Sequence, residues 1–76
     1  MDFFKNKIRK FQEKKLDEIL FKIQFHESTR KKLEKEMAKS NLIDEKAQKK
    51  IKYHLEMEKI WKGNEEKLRK QMNESE

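Results

Sequence analysis

The sequence SNLID at residues 40–44 divides this 76-residue chain into two segments that both favour helices. No proline occurs anywhere, and no glycine precedes residue 40. Asn41 or Asp44 can cap a new helix, because a side-chain oxygen at that position accepts a backbone N–H of the first turn. The pattern predicts an all-α fold, a long helical hairpin with a helix over about 3–39, a turn over about 40–44 and a helix over about 44–73.

A row of residues spaced by three and four predicts the side of the first helix that faces a neighbour. It consists of Leu16, Ile19, Ile23, His26, Arg30, Leu33 and Met37. In the second helix we expect inward positions for Ala47, Ile51, Leu55 and Trp61, widened by Tyr53, Met57 and Ile60. The single glycine, Gly63, is a second candidate break. Because a lone glycine costs a helix only about 1 kcal/mol relative to alanine, we expect the helix to pass through it and to fray at residues 73–76.

A compact three-helix monomer is the rival arrangement. It requires a break at residues 26–29, where Ser28 or Thr29 could cap a new helix. The segment that would follow, 29–39, offers only Leu33, Met37 and Ala38 as an apolar face. The sequence therefore favours the two-helix hairpin.

All five phenylalanines fall in the first third of the chain. In one helix we expect them along a single side, opposite a second apolar row of Leu16, Ile19, Leu20 and Ile23. A hairpin that turns near residue 41 does not bring the most apolar stretches, 3–25 and 42–61, opposite each other. Much apolar surface would stay exposed, which is typical of interaction sites. We therefore predict a homodimer that forms a four-helix bundle, or a bundle completed by a partner protein. The expected interface residues are Phe3, Phe4, Phe11, Phe21, Phe25, Tyr53, Met57 and Trp61.

Composition limits the class of protein further. Charged residues make up 47% of the chain and apolar residues 33%, as in long solvated helices and coiled coils. The length allows one domain, residues 1–76, with a thin core. Cysteine is absent, and no apolar run approaches the roughly 20 residues that span a bilayer. We expect a soluble cytoplasmic protein, and only weak attraction to a membrane surface.

Catalytic chemistry has little support in the sequence. There is no glycine-rich phosphate loop and no thiol nucleophile, and the chain has two histidines. His54 and Glu58 stand at i and i+4, but two ligands alone are a weak metal signal. The expected places are a helix seam for His54 and solvent for Glu58. We predict a protein that is not an enzyme and that needs no cofactor, metal or small-molecule substrate.

The basic charge supports an alternative function. Residues 1–39 hold 12 basic and 7 acidic groups, whereas residues 40–76 hold nine and eight. A basic helix beside aromatic rings can bind nucleic acid through phosphate contacts and base stacking. The candidate contacts are Lys5, Lys7, Arg9, Lys10, Lys14, Arg30, Lys31 and Lys32. The simpler interpretation is a solvated face of a Lys/Glu-rich helix, so we favour a regulatory or adaptor protein that binds other proteins.

Overall fold

Two helices form the whole of the described structure. The computed structural model describes residues 2–40 and 44–74. Helix α1 spans Asp2–Ser40 and helix α2 spans Glu45–Glu74. They pack side by side into a rod with extents of 60 × 14 × 14 Å. The all-α hairpin is confirmed, and each helix end lies within one residue of its predicted position. Residues 41–43 of the predicted turn, including the candidate cap Asn41, lie outside the described residues.

Asp44 caps α2, as the sequence predicts for this position. Its Oδ1 accepts hydrogen bonds from the backbone N–H of Lys46 at 3.0 Å and of Ala47 at 3.4 Å. Its carbonyl oxygen accepts the N–H of Gln48 at 3.0 Å. Two N–H groups of the first turn, which have no partner inside a helix, are thereby satisfied. The sequence alone thus determines where α2 begins.

Helix α1 is continuous through residues 26–29. The Thr29 hydroxyl donates a hydrogen bond to the Phe25 carbonyl oxygen at 2.8 Å, one turn earlier in the same helix. Thr29 therefore bonds backward inside the helix and caps nothing. The rival three-helix arrangement is wrong.

The seam between the helices follows an alternating spacing of four and three residues, which is typical of a coiled coil. Every seam position is buried or half-buried: Gln12, Leu16, Ile19, Ile23, His26, Arg30, Leu33 and Met37 in α1, and Ala47, Ile51, His54, Glu58, Trp61, Glu65, Leu68 and Met72 in α2. Ile19, Ile23 and Leu68 form the buried apolar core, with Leu16, Trp61 and Met72 packed against it. The predicted seam of α1 is confirmed at every position.

The predicted seam of α2 is partly wrong. Leu55 was expected to point inward and is exposed, as are Tyr53 and Ile60. Successive steps of four advance by about 40° beyond a full turn, so the row from Ala47 through Ile51 has rotated off the seam by Leu55. A step of three from Ile51 returns to the seam at His54, and the next step of four reaches Glu58. The side of α2 that faces α1 therefore carries polar residues here.

Helix α2 passes through Gly63 and continues to Glu74, so residues 73 and 74 of the predicted frayed tail are helical; 75 and 76 lie outside the described residues. Apart from its chain neighbours and the nearby backbone of its own helix, no atom lies within 4 Å of the position that a Cβ at residue 63 would occupy. We therefore expect Gly63→Ala to raise the free energy of unfolding by about 1 kcal/mol, measured as a higher urea midpoint. Lys62→Ala, at an exposed neighbouring position, serves as control and should change little. A lower midpoint for Gly63→Ala would show that something packs against residue 63.

Candidate protein-interaction site

An open groove lined by aromatic side chains lies along one flank of the hairpin. Phe21 and Phe25, one turn apart, line it from α1; Tyr53, Met57 and Trp61, at steps of four, line it from α2. We call these five residues the aromatic groove. Lys22 and His26 complete its walls. Five of the eight side chains expected at an interface thus meet on one surface of a single hairpin.

The aromatic groove faces solvent although its side chains are apolar. Phe21 is 68% exposed, Phe25 and Tyr53 are 53% exposed, and Met57 and Trp61 are half-buried. The Lys22 Nζ lies 4.5 Å from the centroid of the Trp61 ring, in a cation–π contact.

Trp61 also carries an unsatisfied polar atom. Its Nε1 is buried and has no hydrogen-bond acceptor among residues 2–40 and 44–74. An unpaired buried donor costs about 1–3 kcal/mol. Because the hairpin's own atoms cover the Trp61 Nε1, this cost arises inside one chain.

The remaining predicted interface residues lie nearer the start of α1. Phe11 lines a second groove, which Trp61 shares. Phe3 and Phe4 are exposed and contact each other edge to face at 5.9 Å, and the Lys7 Nζ lies 5.0 Å from the Phe3 ring. These phenylalanines are accessible but do not join the aromatic groove.

A polar pair crosses the seam beside the groove. The Arg30 Nε donates to Glu58 Oε2 at 2.7 Å, and its Nη2 donates to Oε1 at 3.4 Å. The Arg30 Nη1 donates to Glu34 Oε1 at 3.0 Å. The hydrogen bonds that Arg30 donates to Glu58, and then the one to Glu34, raise the pKa of its guanidinium. Glu58 is only 4% exposed, so its expected position in solvent is wrong.

The two histidines meet across the same seam. The Nδ1 atoms of His26 and His54 lie 2.8 Å apart, with the rings of Phe25 and Tyr53 packed edge to face around them. His26 is 7% exposed. Burial, followed by the charge on His54, lowers the pKa of His26. The predicted seam position of His54 agrees with this contact.

Two carboxylates bind the same guanidinium but differ in burial, and this difference yields a prediction. We expect Glu58→Ala to lower the urea midpoint several times more than Glu34→Ala. Glu58 is buried and holds Arg30 across the seam, whereas Glu34 is exposed and lies in the same helix. Breaking a buried pair leaves a charge without its partner, but an exposed i,i+4 pair contributes little. Equal midpoints for the two variants would contradict a structural role for the cross-seam pair.

The candidate nucleic-acid contacts differ in what they already bind. Arg30 is committed to Glu58 and Glu34. Lys31 pairs with Glu27 at 2.9 Å, and this hydrogen bond lowers the pKa of Glu27. Arg9 lies 3.6 Å from Glu13. The other candidates have exposed side chains: Lys5, Lys7, Lys10, Lys14 and Lys32.

The cross-seam contacts were not predicted from the sequence. A signal for them exists: His26 and Arg30 stand four apart on one seam, and His54 and Glu58 stand four apart on the other. Both contacts join residues separated by 28 positions. If the alternating spacing of three and four residues is continued along each helix whether or not a residue is apolar, it places all four side chains at the seam.

Residues 2–40 and 44–74 contain no group of three or more His, Cys, Asp or Glu side chains that could hold a metal ion. Neither described helix has a stretch that is both long and apolar enough to cross a membrane. Comparisons with protein-family models, with curated proteins and with solved structures found no match.

Proposed function

We propose that this chain is a non-catalytic helical interaction module that self-associates through the aromatic groove and acts on a partner protein as a regulator or adaptor. The aromatic groove is the observation that carries the proposal. Aromatic and thioether side chains from both helices converge on one open face, and Phe21 at its edge is mostly exposed. Aromatic residues and methionine are enriched at protein interfaces. Contiguous exposed apolar surface on a small protein is typical of an interaction site.

The accessible surface supports a large interface. The chain exposes 6794 Å², whereas a compact monomer of its mass, 9.5 kDa, exposes about 5,000 Å². The excess of about 1,800 Å² per chain is larger than the roughly 800 Å² that each partner buries in a standard interface. Among the described residues, three apolar side chains are buried, a thin core for two long helices.

A second copy of the chain fits this excess. A symmetric dimer places the same patch of each copy against the other, and two hairpins packed groove to groove make a four-helix bundle. A heteromeric partner in place of the second copy is an outcome of the test below.

Light scattering across a range of protein concentrations, after nuclease treatment, tests the proposal. We expect a dimer. Each copy carries a net charge of +6, so screening by salt should strengthen the association of like-charged copies. A well-folded monomer at every concentration would overturn self-association and direct attention to a different protein as partner.

Nucleic-acid binding is the second candidate. The exposed lysines of the first turns of α1 lie beside three exposed phenylalanines, which suits phosphate contacts combined with base stacking. Salt separates the two candidates, because nucleic-acid binding weakens as salt rises. If the native mass of untreated protein falls when salt is added, and falls again when nuclease is added, nucleic-acid binding is favoured.

A further inference from the structure

The two histidines of the chain meet near the middle of the hairpin, and their geometry limits how many protons they hold. The Nδ1 atoms lie at hydrogen-bond distance, 2.8 Å. One Nδ1 must carry a proton and donate, and the other must accept. An imidazolium carries protons on both ring nitrogens and accepts nothing. The contact therefore forms in the neutral or singly protonated pair and is broken when both rings are charged.

Charged and titratable groups from both helices face the His26 ring. They are Lys22 from α1, and Tyr53, His54 and Glu58 from α2. Glu58 favours a charged His26, but its carboxylate already accepts two hydrogen bonds from Arg30. Burial, the charge on the second histidine and the charge on Lys22 all lower the pKa of His26. A second proton on the pair would thus enter a buried, largely cationic site.

We propose that the His26–His54 contact is an acid-sensitive latch of the hairpin, closed in the neutral or singly protonated pair and opened when both imidazoles are protonated. Opening separates the helices beside Phe25, whose ring lies 5.3 Å from that of His26, and beside Tyr53, whose ring lies 5.1 Å from that of His54. Both residues line the aromatic groove. Acidification therefore changes the shape of the groove.

The direction in which stability changes with pH follows from the lowered pKa of His26. The unfolded chain takes up protons near the ordinary histidine pKa of about 6.5, whereas the folded chain holds His26 at a lower pKa. As the pH falls through about 6.5, the unfolded state therefore binds more protons than the folded state does. The stability from the latch is complete above about pH 6.5 and is lost as the pH falls below it.

Urea unfolding of the full chain, followed by circular dichroism at about pH 7.5 and about pH 5.5, tests the latch. The comparison is between the natural chain and the double variant His26→Gln with His54→Gln. Glutamine keeps a donor and an acceptor but does not titrate, and the variant removes every imidazole of the chain. We expect a lower midpoint at acidic pH in the natural chain and equal midpoints in the variant. A natural midpoint that does not change, or an equal acid shift in both proteins, would overturn the proposal.

A second measurement does not depend on the folding of the variant. In an NMR titration of the natural protein, we expect the His26 ring to titrate below its ordinary range and to respond to the state of His54. Two independent titrations at the ordinary value would contradict the latch. Native mass at both pH values separates the latch from the proposed dimer. A dimer that dissociates in acid while the urea midpoint stays the same contradicts the latch alone. A monomer at both pH values whose urea midpoint falls in acid supports the latch and overturns the dimer.

Discussion

Phe21→Asp is expected to convert the proposed dimer into monomer. Phe21 is 68% exposed in a single hairpin, so its replacement removes little packing from an isolated chain. In a groove-to-groove dimer the same ring is buried, and its loss removes about 2–3 kcal/mol. The carboxylate left behind must also be desolvated. Together these effects predict a loss of at least about 100-fold in the dimerisation constant, measured by light scattering over a dilution series.

Matched variants make this result specific. Gln24→Asp introduces the same charge in the same helix, at an exposed position outside the aromatic groove. Lys31→Glu alters an exposed residue that pairs only with Glu27 among the ion pairs of the structure's described residues. Both should leave the native mass unchanged. If Phe21→Asp and the two controls all have small and equal effects, the groove is not the interface.

Ile19→Ala is expected to cause the largest loss of stability of any single truncation discussed. Ile19 is 4% exposed and is one of three buried apolar side chains among the described residues. Truncation of a buried isoleucine to alanine removes about 2–5 kcal/mol through lost transfer energy and the cavity that remains. The core of a chain this small rarely supplies more than about 3–5 kcal/mol in total. We therefore expect a strong loss of helical circular dichroism at low protein concentration.

The neighbouring residue supplies the control. Leu20 has a similar size and lies in the same turn, but it is 37% exposed. Leu20→Ala should lower the urea midpoint far less than Ile19→Ala. The opposite order would mean that the face of α1 that packs against α2 is not the one described.

The seam of α1 could be predicted because apolar residues mark most of it. Spacing by three and four needs only helical geometry, and it included His26 and Arg30 as imperfections of an otherwise apolar row. Both are seam residues in the structure. The start of α2 was equally accessible, since Asp44 caps its own first turn and needs no distant partner.

The seam of α2 could not be found in the same way. Polar residues hold three of its positions, His54, Glu58 and Glu65. A search for apolar residues passes over them and selects Leu55 instead. Burial of a carboxylate is unfavourable unless a cation reaches it, and the cation here comes from a residue 28 positions earlier. Spacing within α2 can mark these positions, but the cation that makes burial of the carboxylate favourable belongs to the opposite helix.

The sequence by itself determined two long helices, the cap that begins the second one, and the placement of all five phenylalanines on the first, because these depend on the order of residues and on interactions within a few positions. Only the tertiary structure decided how the helices pair. Spacing alone would allow His26 to face Glu58 and Arg30 to face His54, whereas the structure pairs imidazole with imidazole and guanidinium with carboxylate. It also decided that Phe21 and Phe25 share a groove with Tyr53, Met57 and Trp61. The physical reason is that burial and pairing of a side chain depend on the opposite helix, whose register is set by all the cross-seam contacts together.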